Sequence, residues 1–189
     1  MLPEIPGCVH LSVEGGCGGT TLGLQYARQE LSAGNHVVWI CEEMPDGQRF
    51  SQMFSEVSPA VVSKFHLSAV GENTEVGIKS AIDLLGALEN ISLVVVDDWT
   101  AKTGRAKKAT LKAMHELITK CTKSEVPFIA ISSAYEDAAG KGWKARGDLS
   151  DCKNWFLHRS SMNSMMRELH LADEITEFIL TDEGFTPRK

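Results

Sequence analysis

A glycine-rich segment between an apolar run and a helical pattern carries the strongest chemical signal in the sequence. It follows Cys8–Val13, a run that predicts a strand, and precedes a helical pattern that ends near Ala33 and Gly34. Glycine lets backbone N–H groups approach a phosphate closely, and a helix N-terminus adds partial positive charge. The segment therefore predicts a phosphate-binding loop made of Gly15, Gly16, Cys17, Gly18, Gly19, Thr20 and Thr21.

The loop fits the phosphate-loop pattern GxxxxGK[ST] only in part. Gly18 stands at the second glycine, Val13 stands where the first is expected, and Gly19 replaces the lysine. Thr20 retains the hydroxyl that would meet magnesium. Because the lysine charge stabilises the transition state of phosphoryl transfer, its loss predicts nucleotide binding without efficient hydrolysis. The alternative is a glycine-rich strand-to-helix turn with no ligand.

A second chemical signal is a carboxylate directly after a buried β-branched run. Leu93-Val94-Val95-Val96 predicts a strand covered on both faces, and Asp97 follows it. Ligands bind at the carboxyl ends of the strands in open α/β sheets. We therefore expect Asp97 at the ligand-binding edge of the sheet.

Alternating strands and helices must position these residues. Further strands are predicted at His36–Cys41, Phe65–Val70 and Phe128–Ile131, and helices at Ser51–Ser63, Glu75–Leu88 and Ala109–Thr122. This alternation predicts a doubly wound, mostly parallel sheet flanked by helices, in one domain over residues 1–189. From about residue 154 to 185, short apolar runs without a long helix between them predict an antiparallel extension. Within it, Met162 to His170 fits a helical turn equally well.

Composition limits the number of domains and the classes of partner that the chain can have. The 189 residues are 43% hydrophobic, enough for one substantial core, and no apolar run approaches the length of a membrane span. The N-terminus lacks the features of a signal peptide, so we expect a cytoplasmic protein without membrane contact. Five cysteines without a metal-binding spacing predict reduced, mostly buried thiols. The net charge of −6 confines any nucleic-acid contact to local basic segments.

Several of these segments resemble the RecA superfamily, particularly the short archaeal RadA and RadB recombinase paralogues and the KaiC-like ATPases. The resemblance runs from about Val9 to Phe185. Gly18–Gln25 resembles the family's GKTTLALQ with its lysine exchanged, and Leu93–Ala101 resembles the Walker B strand. Trp39–Pro45 resembles the segment with the catalytic glutamate, in the EExP form of KaiC-like members. The resemblance implies a RecA-like core that binds ATP or ADP with Mg²⁺.

The resemblance also implies roles for individual side chains. Asp97 corresponds to the carboxylate that holds Mg²⁺, usually through water. Glu43, or otherwise Glu42, falls where a general base would polarise the attacking water, although a solvated loop acid is the alternative. Ser133 replaces the glutamine that senses the γ-phosphate in the recombinases, and serine is too short for that contact. The missing lysine and glutamine together imply a pseudo-ATPase or a very weak ATPase.

Two basic segments follow the strands that end near Asp97 and Ser133. In the resembling recombinases the corresponding loops face the filament axis and carry DNA. Basic residues with glycine and an aromatic ring are typical of single-strand binding. The candidate DNA-binding residues are Lys102, Arg105, Lys107, Lys108, Lys141, Trp143, Lys144 and Arg146. The alternative is that Lys107 and Lys108 begin a solvated helix and that the second segment is only a charged loop.

Three functions remain open on the sequence alone. The first is a RecA-like recombinase paralogue with impaired ATPase activity, an accessory or mediator in homologous recombination or DNA repair. Its partner would be a recombinase of the RecA/RadA family or another paralogue, with single-stranded DNA and oligomers as further options. The second is a KaiC-like regulatory ATPase module. The third is a structural RecA-fold subunit without nucleotide.

Overall fold

The computed structural model describes residues 1–101, 106–137, 142–172 and 174–188. The strands in these ranges are β1 (Cys8–Val13), β2 (His36–Cys41), β3 (Phe65–Ala69), β4 (Ile91–Asp97), β5 (Phe128–Glu136), β6 (Trp143–Ala145), β7 (Lys153–Arg159), β8 (Met166–His170), β9 (Ile175–Thr181) and β10 (Gly184–Pro187). The helices are α1 (Gly19–Ser32), α2 (Gly47–Phe54), α3 (Pro59–Val62), α4 (Thr74–Ala87) and α5 (Lys108–Lys123). Among the described residues, no helix is long and apolar enough to cross a bilayer.

The strands form one mixed ten-stranded sheet. Its order is β10-β9-β8-β7-β1-β5-β4-β2-β3, and β6 pairs with β5 outside this path. Strand β1 lies between β5 and β7 and is parallel to both, and β2 is parallel to β3 and β4. Strands β8, β9 and β10 continue the sheet in antiparallel fashion. The predicted sheet with its antiparallel C-terminal extension is thereby confirmed.

Helices cover both faces of the sheet. One core contains Leu22 and Leu24 of α1 together with Phe54 of α2, and the other contains Ile78 of α4 and Met114 of α5. The residues of β4 alternate between these cores: Leu93 and Val95 pack in the first, and Val94 and Val96 in the second. Burial on both faces explains the continuous apolar run of this strand.

Some element boundaries differ from the prediction. The single helix expected over Ser51–Ser63 is wrong, because α2 ends at Phe54 and α3 begins at Pro59. Proline has no N–H and clashes with the preceding turn, so it starts a helix and does not continue one. The ambiguous stretch from Met162 to His170 consists of a turn and then strand β8. Strands β6 and β10 are too short to predict from apolar patterning.

The cysteine prediction was partly wrong. Cys8 and Cys152 form a disulfide, whereas Cys17, Cys41 and Cys121 are free and buried. The pair is possible because β1 and β7 are adjacent strands, which places the two Cα atoms 4.6 Å apart. Nothing in the cysteine spacing indicates that these two positions meet.

Gln25 fixes strand β10 to helix α1. Its Nε2 donates to Phe185 O at 3.0 Å, and Phe185 N donates to its Oε1 at 2.7 Å. We expect Gln25→Leu to lower the free energy of unfolding by about 1–3 kcal/mol, because both backbone groups lose their partner. Urea denaturation measures the change, with Gln48→Leu on the exposed surface of α2 as the control. Equal losses in the two variants would show that this hydrogen-bonded pair does not anchor β10.

Candidate nucleotide-binding site

The turn between β1 and α1 has the backbone geometry of an anion-binding loop. Gly16 and Gly18 adopt φ values of +75° and +91°, which glycine tolerates and other residues rarely adopt. Gly18 is the N-cap of α1, and no side chain caps the helix there. The first N–H groups of an α-helix have no acceptor within the helix. Those of Gly19 and Thr20 are therefore suited to bind an anion at this helix end.

A cavity of about 480 Å³ adjoins this turn at the carboxyl ends of β1 and β4 and beside the middle of β5. Its lining consists of Val13, Glu14, Gly15, Gly16, Gly18, Gly19, Thr20, Asp97, Asp98, Ile131, Ser132 and Ser133. The fold thus brings most of the predicted loop residues together with Asp97 and Ser133. Cys17 and Thr21, which also belong to the predicted loop, are buried and do not line the cavity.

Thr20 and Asp97 meet in this cavity. The Thr20 side chain forms a hydrogen bond with the Asp97 carboxylate, which is only 5% exposed and whose Oδ1 lacks a hydrogen-bond partner. Burial raises the pKa of Asp97 to about 7, the nearby charge of Asp98 raises it further, and the Thr20 hydrogen bond opposes the shift. A buried carboxylate oxygen beside a hydroxyl is an oxygen ligand set of the kind that Mg²⁺ binds. The residues therefore fit the cation that the sequence implies.

The space for a side chain at position 19 is filled by Val13. A Cβ on Gly19 would lie 2.6 Å from Val13 Cγ2 and 3.1 Å from Ile131 Cγ2. The two departures from the phosphate-loop pattern, Val13 for glycine and Gly19 for lysine, thus form one packing unit. Sequence reasoning treated them separately, because only the fold shows that these two positions touch.

Arg159 of β7 holds the loop from its outer side, a contact that sequence reasoning missed. Its Nη1 and its backbone N each donate to a Glu14 carboxylate oxygen at 2.7 Å, and Nη2 donates to Gly15 O at 3.2 Å. Among the described residues that line the cavity, none is basic, whereas Glu14, Asp97 and Asp98 are acidic. A polyphosphate would therefore depend on backbone N–H groups and on a divalent cation for charge compensation.

A second cavity, also about 480 Å³, contains the predicted general-base candidates. Glu42 and Glu43 line it together with Glu72 and Lys107, and neither Glu42 nor Glu43 lines the phosphate-loop cavity. Asp98 belongs to both linings. Both candidate glutamates are exposed. The second cavity therefore has a lining that is mainly acidic, with Lys107 as a basic residue in it.

A buried histidine, His10, contacts Ser132, which lines the phosphate-loop cavity. His10 Nε2 lies 2.8 Å from Ser132 Oγ, and the His10 ring meets Trp99 edge-on at 5.4 Å. Burial lowers the pKa of His10 to about 4, against a smaller opposing effect of Asp148. The imidazole is therefore neutral near pH 7 and supplies no positive charge to the cavity.

The candidate DNA-binding residues fall on two segments. Lys102, Arg105 and Lys141 lie outside the described residues. Lys108 begins α5 and Lys107 is its N-cap, as the solvated-helix alternative expects. The second segment is a hairpin of β5 and β6 rather than a loop alone.

Three candidate DNA-binding side chains of that hairpin contact other residues of the protein. Lys144 Nζ lies 2.8 Å from Asp137 Oδ2, and this hydrogen bond raises the pKa of Lys144. The Arg146 guanidinium lies over the Tyr135 ring at 5.2 Å. Trp143 stacks on His158 at 5.8 Å. The charged groups of Lys144 and Arg146 therefore already have contacts within the protein.

The sheet order, the loop between β1 and α1, and the acid at the end of β4 define a doubly wound α/β protein with a candidate phosphate and cation site. The chain matches no protein-family model and no curated protein. Among solved structures, its fold is similar to the crystal structure of the RadB recombinase, with a TM-score of 0.74 and 22% sequence identity. The match covers 98% of this chain and 92% of that chain. At this identity the likeness establishes the fold, which confirms the predicted RecA-like core.

Proposed function

We propose that the chain is a single-domain RecA-like recombinase paralogue that binds ATP or ADP with Mg²⁺ and hydrolyses the nucleotide weakly or not at all. It acts as an accessory protein in homologous recombination or DNA repair, with a recombinase of the RecA/RadA family or another paralogue as its partner. The observation that carries the proposal is the Thr20–Asp97 pair, retained beside a loop whose position 19 is closed by Val13. The similarity to a recombinase structure supports the same assignment.

Weak hydrolysis follows from three features of the site. Gly19 provides no cation for the β- and γ-phosphates, and this electrostatic stabilisation is a large part of catalysis in such sites. Ser133 is too short to sense a γ-phosphate as a glutamine would. Glu43 lines the neighbouring cavity rather than the phosphate-loop cavity. Backbone donors and a bound cation are sufficient for binding, so affinity can persist where turnover does not.

Single-stranded DNA is the proposed ligand of the β5–β6 hairpin. Lys144 is exposed and lies opposite Tyr135 in the register, and Arg146 stacks on the Tyr135 ring. Trp143 lies on the other face of β6, where it stacks on His158. Positive groups next to aromatic rings suit a strand whose bases are free to stack. Because the net charge of the chain is −6, a local basic patch differs in charge from the rest of the surface.

The DNA proposal predicts a specific loss in salt-dependent binding. We expect Lys144→Ala with Arg146→Ala to weaken binding of a labelled single strand. Removal of two phosphate contacts should reduce the slope of log K against log salt by about 1.4. Fluorescence anisotropy at several salt concentrations measures both effects. The matched control, Lys112→Ala with Lys123→Ala on the exposed surface of α5, removes the same charge elsewhere. Equal losses of DNA affinity in the two double variants would show that net charge alone causes the effect, which would contradict a hairpin site.

A structural subunit without nucleotide is the second candidate function. The acidic lining of the phosphate-loop cavity by Glu14, Asp97 and Asp98 favours it, because negatively charged carboxylates repel a polyphosphate. The two candidates differ in whether Mg²⁺ and nucleotide bind together.

A cytoplasmic location belongs to the first proposal. Disulfides such as Cys8–Cys152 are uncommon in that compartment.

A further inference from the structure

Two histidines and a glutamate converge on one face of the antiparallel pair β7 and β8. His158 lies directly opposite Glu168 in the register, and His170 follows Glu168 by two residues, which places it on the same face. His170 Nε2 lies 3.1 Å from Glu168 Oε2, and His158 Nε2 lies 4.0 Å from the same oxygen. One ligand atom from each residue lies within 4.8 Å of the other two.

Neighbouring groups orient these side chains. His158 Nδ1 lies 2.8 Å from Arg159 O, and a carbonyl can only accept, so the proton resides on Nδ1 and the Nε2 lone pair points to the cluster. The Ser160 side chain forms a hydrogen bond with Glu168. Trp143 stacks on His158 with an interplanar angle of 18°. A backbone acceptor for the second ring nitrogen and a hydrogen bond to the carboxylate are the usual supports of metal ligands.

The three side chains of the cluster are partly buried and partly exposed to solvent. The side chains of His158, Glu168 and His170 are 14%, 19% and 32% exposed. Partial burial protects the ligands from competing water contacts, and the exposed fraction leaves an entry path. None of the three residues lines the phosphate-loop cavity, so the cluster is separate from the nucleotide site.

We propose that His158, Glu168 and His170 bind a divalent first-row transition-metal ion, with Zn²⁺ as the representative. Metal–ligand bonds of about 2.0–2.2 Å in tetrahedral geometry place ligand atoms about 3.4 Å apart, so small side-chain movements complete the site. The ion takes the place of the proton shared by His170 and Glu168. Imidazole nitrogens favour zinc over magnesium, and three protein ligands leave a position for water. The site ties β7 to β8 beside Arg159, which holds Glu14 of the glycine loop.

Zinc titration of chelator-treated protein, in competition with a chromogenic chelator, tests the site. One Zn²⁺ per chain is expected, and His170→Asn and Glu168→Gln should each weaken binding at least 10-fold, because even outer-shell changes cost about 10- to 100-fold. The matched control is His66→Asn, since His36 Nδ1 and His66 Nε2 lie 2.8 Å apart in a separate histidine pair. Absence of zinc binding, or an equal loss in His66→Asn, overturns the proposal.

A spectroscopic readout tests the location independently of any ligand variant. Trp143 contacts His158, so Co²⁺ in the site should quench its fluorescence, and Trp143→Phe should remove most of the quenching while retaining the bound ion. Excess Mg²⁺ should not displace Zn²⁺, and Asp97→Asn should leave zinc affinity unchanged. Quenching that is undiminished in Trp143→Phe, or displacement by Mg²⁺, places the ion elsewhere and contradicts the assignment. Thermal unfolding checks that each variant is folded, and Zn²⁺ should raise the Tm of the wild type but not of Glu168→Gln.

Discussion

A single methyl group at position 19 is expected to destabilise the protein, although alanine is a better helix former than glycine. The new Cβ would lie 2.6 Å from Val13 Cγ2, and a buried β-branched side chain in a strand has little freedom to turn aside. Overpacking of this kind costs about 1–3 kcal/mol. The matched control is Gly86→Ala in α4, where an added Cβ would meet no heavy atom of the described residues within 4 Å apart from its chain neighbours and its own helix backbone. There we expect a gain of up to about 1 kcal/mol. Urea denaturation measures both free energies of unfolding.

The cause of this destabilisation can be isolated by shortening the opposing side chain. Val13→Ala removes the methyl group that a Cβ at position 19 would meet, so Gly19→Ala should cost much less in its presence. The difference is the coupling energy of a double-mutant cycle, which reaches about 0.5–3 kcal/mol for residues in contact. Equal costs of Gly19→Ala with and without Val13→Ala would contradict the packing unit proposed for the loop.

Two buried groups are expected to give opposite pH dependences of stability. The folded chain keeps the Asp97 proton up to about pH 7, whereas the unfolded chain releases it near pH 3.8. Between these values the folded state binds more protons, so stability falls as pH rises, by about 1.4 kcal/mol per pH unit. His10 is protonated below pH 6.5 when unfolded but only below about pH 4 when folded. Its contribution therefore increases stability as pH rises through that window.

The wild type should consequently change little between pH 4 and pH 6.5, because the two contributions nearly cancel. Asp97→Asn should expose the His10 contribution, with stability that rises across this range. His10→Gln should expose the Asp97 contribution, with stability that falls from pH 4 to pH 7 by roughly 4 kcal/mol. Urea denaturation at half-unit pH intervals measures the three profiles. Parallel profiles for the wild type and Asp97→Asn would mean that Asp97 does not titrate with a raised pKa.

The elements of the central sheet were predictable because their signals are local. Strand β1 has apolar residues at alternate positions, with His10 and Ser12 between them, and β2 is a nearly continuous apolar run. Their predicted bounds agree with the structure. The break before Pro59 also had a visible signal, since proline starts helices and interrupts them, but the apolar pattern on both sides concealed it. Local patterns therefore predicted which elements exist better than where each one ends.

The contacts that shape the site join residues that are far apart in the sequence, so local sequence patterns could not predict them. Glu14 and Arg159 are 145 positions apart, and Cys8 and Cys152 are separated by 144. Both contacts arise because β7 joins the sheet beside β1, an adjacency that no spacing in the sequence indicates. Glu168 and His170 share one face of β8 because they stand two positions apart in a strand, and only the register with β7 adds His158.

Nucleotide binding tests the central claim most directly. A fluorescent ATP analogue is titrated with Mg²⁺ into the wild type, Asp97→Asn, and the double variant Val13→Gly with Gly19→Lys, in which glycine makes room for the lysine. We expect Mg²⁺-dependent binding by the wild type without appreciable hydrolysis, a loss of about 10-fold or more in Asp97→Asn, and tighter binding by the double variant. Glu43→Gln is the control and should bind as the wild type does. Failure of both the wild type and the double variant to bind would contradict the nucleotide site and favour the structural subunit.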